Sequence, residues 1–251
     1  MGMRLAAIAI LLVFGILRVP MEQHVTRQHE DAYFRGAKLD LELREKIGQM
    51  GFIAALSGFR SLVADALWIE AHAAWEKTEW GRMALLFDNV TALQPRVTMF
   101  WDMAAWHMAW NASVAVRDDP DITREVLRKK AEREYFDLGK DFLERGIRNN
   151  PDTHVLYEKM ALLLRDKYQD FCGAAEYFRK AAEFPAAPGY EKRMAAYALA
   201  KCPGKEREAY EELVRIYNLG EQEHLPSVLR DIKDLEAKLD IPREQRIFKD
   251  L

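Results

Sequence analysis

The side chains able to do chemistry in this sequence are few and fall in small groups. His72 and Glu76 stand four apart, as do His154 and Glu158, so on helices each pair shares a face and offers two ligands to a metal. Neither pair has the H-E-x-x-H arrangement or an evident third ligand. Both therefore read as surface salt links, and no metal is expected. No G-x-x-x-x-G-K-S/T, G-x-S-x-G or G-x-G-x-x-G run occurs, which removes the phosphate-loop, nucleophile-elbow and dinucleotide readings. No cofactor is expected. The remaining catalytic candidates are Asp65 and Asp102, carboxylates set among aromatic residues, as a hydrolase or a glycan-binding protein would use them. That is the alternative to a binding scaffold; the preferred reading assigns no catalytic residue and no enzyme activity.

The densest aromatic stretch is FWDMAAWHMAWN, residues 100–111. Met99, Met103, Trp106 and Trp110 repeat at helical spacing, and Trp101, Ala105, Met108 and Ala112 form a second stripe. Two stripes mean contacts on two sides. Core packing explains most of the stretch, with Trp101 and Met108 in the core.

The elements that must carry these residues are read from composition and punctuation. The chain has 251 residues, 37 basic against 40 acidic, so no global field attracts nucleic acid, which is not expected as a partner. Strand-like alternation is nearly absent, and prolines fall at the ends of apolar-periodic segments. The fold class is all-α. Helices are expected at roughly 22–57, 60–78, 80–93, 97–116, 120–149, 153–168, 173–184, 189–201, 205–218 and 225–239. Asp119-Pro120 reads as the capped start of helix 120–149, and Pro203-Gly204 as a clear separator.

Leu5 to Leu17 is an uncharged run, spanning roughly 20 Å as a helix against a hydrocarbon core of about 30 Å. Arg4 and Arg18 can snorkel, so residues 1–21 read as a membrane anchor, with a cleaved signal segment as the alternative. The short N-terminal tail favours an exported body, on the periplasmic or extracytoplasmic side. The charge count, with Arg18, Arg27 and Arg35 after the run, favours the opposite orientation.

A repeat runs through the helices. Gly139, Leu143, Gly146 and Pro151 match Ala174, Phe178, Ala181 and Pro185; Leu143, Phe178 and Leu213 are each 35 residues apart, with Ala209 before Leu213. On the partner helices a large residue precedes a small one by four: Leu67 and Ala71, Trp101 and Ala105, Tyr157 and Ala161, Met194 and Ala198. The small residue lets two helices approach closely. These spacings resemble the tetratricopeptide repeat (TPR) superfamily, over about 64–220. The resemblance implies antiparallel helical hairpins stacked as a solenoid. The N-terminal region 22–63 precedes the repeats, and 221–251 supplies a capping helix and tail. The second hairpin departs from the pattern: 56 residues separate Pro95 from Pro151, which places about 22 extra residues at about 111–133.

In such arrays the first helices line a concave face that binds partner peptides. Carried over to this chain, that face comprises Asp65, Trp68, His72 and Trp75, then Met99, Asp102, Trp106 and Trp110, followed by Val155, Glu158, Leu162 and Arg165. Rigid aromatics in a groove suit an apolar segment of another protein. The competing occupant is helix 22–57 or the insertion. The basic run Arg124, Arg128, Lys129, Lys130 and Arg133 is interleaved with glutamates and reads as a solvated face. Finally, helices 173–184 and 189–201 are expected antiparallel about residue 187, midway between Cys172 and Cys202, which makes the two cysteines level. They are disulfide candidates if the body is exported, and reduced thiols if it is not.

Overall fold

The computed structural model describes residues 59–248. The expected anchor at 1–21 and helix 22–57 lie outside the described residues. Regular structure among the described residues is helical throughout. α1 spans Arg60–Glu76 and α2 Trp80–Leu93; α3 runs Thr98–Trp106, a π turn His107–Ala112 and a last α-helical turn Ser113–Arg117. α4 is Glu125–Asn149, and α5 is Val155–Leu163 closed by a second π turn, Leu164–Tyr168. Phe171–Ala182 (α6), Tyr190–Ala200 (α7), Glu206–Tyr217 (α8) and Pro226–Lys238 (α9) complete the order. No described helix is long and apolar enough to cross a membrane.

Each helix packs on the one that follows it, and α3 also touches α5, as α7 touches α9. The residues of the 35-residue period share one environment: Leu143, Phe178 and Leu213 are all fully buried, with Ala174, Ala181 and Ala209 beside them. Gly139 and Gly146 of α4 show why small residues are needed. A Cβ on Gly139 would lie 2.8 Å from Ala109 Cβ and 2.9 Å from the Ala105 carbonyl oxygen. On Gly146 it would lie 2.8 Å from Trp101 Cβ. α3 and α4 therefore cross in direct backbone-level contact, which the second stripe of α3 makes possible: Trp101, Ala105, Met108 and Ala112 are all buried.

The loop ends are tied as well. The Pro95 carbonyl accepts from Trp101 Nε1 at 2.9 Å and from Asn150 Nδ2 at 2.8 Å, so two proline-terminated ends are joined through one oxygen. Asp170 caps α6, its carboxylate accepting from the Gly173 N–H at 2.8 Å. Cys172, in the first turn of α6, is bonded to Cys202, just past α7, with Cα atoms 4.9 Å apart.

Two expectations need correction. The long helix does not start at Pro120. Asp119 Oδ1 instead accepts from the Asp121 N–H at 2.8 Å, a local turn, and α4 begins at Glu125. The helix expected at 97–116 is interrupted by the π turn. The extra residues of the second hairpin lengthen two packed helices, since the end of α3 lies along the start of α4.

Candidate functional site

The first candidate surface is built on α1 and α3. Trp75, Met99 and Trp106 are 37, 53 and 43 % exposed, large apolar side chains left open to solvent. The link between the two indoles is His107, a residue to which sequence reasoning gave no role. Its ring centroid lies 6.0 Å from Trp75 and 5.0 Å from Trp106, both edge-on, and 5.8 Å from Phe87, stacked. Asn111 Nδ2 lies 2.9 Å from His107 Nδ1. The amide donates, which puts the imidazole proton on Nε2. Burial, with the nearby His72 adding to it, lowers the His107 pKa to about 4, so the ring is neutral at physiological pH. His72 itself is exposed and stacks on Trp75 at 5.2 Å.

The other expected groove residues divide. Trp68 is half-buried between Phe87 and Phe100, at 5.4 and 5.0 Å, and belongs more to the core than to the open surface. Asp65 is exposed. Asp102 is half-buried and 3.4 Å from Lys159 Nζ; desolvation raises its carboxyl pKa against the pull of that lysine. Trp110 stands beyond the start of the π turn, where an extra residue per turn rotates it off the stripe a straight helix would continue. Lys167 of α5 lies over its ring at 5.2 Å, so Trp110 faces a different neighbour from Trp106. In the third hairpin Val155, Glu158, Leu162 and Arg165 are half-buried, and Arg165 pairs with Asp166 at 2.6 Å.

The second cluster lies where α5 and α7 begin. His154, Glu158 and Glu191 bring one nitrogen and two carboxylate oxygens within 4.8 Å of one another. His154 Nδ1 is 2.7 Å from Glu191 Oε1, and Tyr190 donates its hydroxyl to Glu158 Oε1 at 2.9 Å. Glu191 is fully buried, and its Oε2 has no hydrogen-bond partner. Burial raises the Glu191 pKa; His154 works against that, and the charge of Glu158 adds to it. The pair expected to be a surface salt link, His154 with Glu158, is thus completed by a third group from a helix 37 residues on. Glu191 carries no local sign of burial, lying in YEKR after Gly189, so only the helix packing reveals it.

The basic run on α4 is solvated as expected. Lys129 pairs with Glu125 at 2.6 Å, Lys130 with Glu134 at 3.9 Å and Arg133 with Asp137 at 3.4 Å. Compared with protein-family models and with curated proteins, the sequence gives no match.

Proposed function

We propose that this chain is a membrane-anchored, TPR-like helical-repeat scaffold that binds an apolar segment of another protein across the surface of Trp75, Met99 and Trp106, within a cell-envelope complex. The observation that carries the reading is the exposure of two indoles that both touch one buried, neutral imidazole, with Met99 also exposed earlier on α3. Tryptophans held by ring contacts lose little side-chain freedom on binding, and such residues dominate interface energetics. The solenoid part of the proposal draws on the shared burial of Leu143, Phe178 and Leu213 and on the succession of neighbour contacts. The anchor draws on the apolar run Leu5 to Leu17, and an exported body on the Cys172–Cys202 bond, a linkage that oxidising compartments preserve.

Affinity purification from detergent-solubilised membranes tests the reading, comparing the native chain with one carrying Trp75→Ala and Trp106→Ala. Both side chains are exposed enough that truncation leaves the core intact, unlike Trp68. The native chain should recover a protein that the double variant loses. If both chains fold equally and recover the same proteins, the surface is not the binding site.

A further inference from the structure

We infer that His154, Glu158 and Glu191 form a binding site for a first-row divalent cation of the zinc class, held between the starts of α5 and α7. Three features of the cluster lead there. The donor set of one imidazole and two carboxylates is one that zinc accepts, with three protein ligands and a further position open to water or a second ligand. The donors, within 4.8 Å of one another, need only modest closure, since ligand distances of about 2.0–2.2 Å place neighbouring donors roughly 3.5 Å apart. Glu158 is half-buried in the first turn of α5, and a shift of its side chain together with the Tyr190 hydroxyl would supply that closure.

The second feature is the orphaned oxygen. Glu191 Oε2 is sealed from solvent and accepts no hydrogen bond, an arrangement that costs free energy unless something positively charged meets it. Its partner oxygen is already engaged by His154. The third feature is charge. Two ionised carboxylates at this separation repel one another. A dication offsets both. The helix starts help in the same direction, because His154 immediately precedes α5 and Glu191 is the second residue of α7, so the N-terminal ends favour ionised carboxylates. Tyr190, donating to Glu158, holds that carboxylate from outside, as groups behind a metal ligand do.

Such a site would clip α5 to α7 across the pair formed by α5 and α6, and would leave one face of the ion open. The full chain in detergent, stripped with chelator, is titrated with zinc chloride by isothermal calorimetry and by following the thermal midpoint. Magnesium chloride serves as the hard-cation comparison. One zinc per chain should bind and raise the midpoint, with magnesium doing neither. Glu158→Gln and Glu191→Gln should each weaken zinc binding by roughly tenfold or more, the least expected when a ligand is removed outright. Glu158 is half-buried, so its variant carries small folding risk and decides the matter if the Glu191 variant does not fold. Failure of the native chain to bind zinc, or unchanged zinc affinity in the folded Glu158→Gln chain, overturns the site.

Discussion

His107 shows what a single side chain can do in this molecule. Its pKa is lowered to about 4 by burial, from an ordinary value of 6.5. The folded state therefore keeps it neutral, while the unfolded chain binds a proton below about pH 6.5. Stability from this group is full above about pH 6.5 and is lost progressively as pH falls towards 4, on the order of 3 kcal/mol in all. Urea unfolding at pH 7 and at pH 4.5 should show a smaller pH difference for His107→Gln than for the native chain. An equal difference would mean that other groups carry the acid sensitivity. The role of His107 was hidden in the sequence, because a histidine inside an aromatic run looks the same whether it is core, ligand or bridge. The buried stripe was legible, since Trp101, Ala105, Met108 and Ala112 keep helical spacing. The fate of Trp110 was not, because no residue in His107–Ala112 announces a π turn.

At the level of elements, the α3–α4 crossing depends on the absence of two side chains. Gly139→Ala adds a Cβ 2.9 Å from a backbone oxygen, which cannot move without the helix. Overpacking of this kind costs about 1–3 kcal/mol, against a helix-propensity gain of about 1 kcal/mol. Thermal unfolding should place Gly139→Ala below the native chain. Gly189 is the control: no atom lies within 4 Å of its added Cβ and its φ is −58°, so Gly189→Ala should be neutral or up to about 1 kcal/mol stabilising. Helix ends at Leu93, Asn149 and Ala200 fall within a residue of the sequence expectation, because proline stands just beyond each. The start of α4 does not, since Asp119 spends its carboxylate on a turn five residues too early. The level cysteines were readable from the midpoint of a short helical connection, and their bond joins α6 to α7. Closing a loop of about 30 residues stabilises by about 3–4 kcal/mol on chain-entropy grounds, so Cys172→Ser with Cys202→Ser should unfold at clearly lower denaturant. Mass spectrometry of protein alkylated before reduction should find the linked peptide; two alkylated thiols would contradict it.

For the whole molecule, the proposal pairs an N-terminal anchor with a helical body that presents an aromatic surface on α1 and α3. The anchor is tested by fractionation. The chain should stay with membranes through a high-salt wash, because salt screens charge contacts but leaves apolar insertion intact. Release into the soluble fraction with a new N-terminus near Ile16 would mean a cleaved leader. What the sequence could not convey at this scale is which distant helices meet. Glu191 reaches His154 across 37 positions, and Trp75 of α1 meets the His107 ring that stands beside Trp106 on α3.

The central claim is that Trp75, Met99 and Trp106 receive a segment of a different protein. The most direct measurement places a photo-crosslinking amino acid at position 106 of the full chain in its native membrane and identifies what is captured. The account predicts a crosslink to a second protein, reduced by Trp75→Ala in the same chain. A crosslink confined to residues 22–57 of the chain itself would contradict it, showing that the surface is an internal seat and not a docking site.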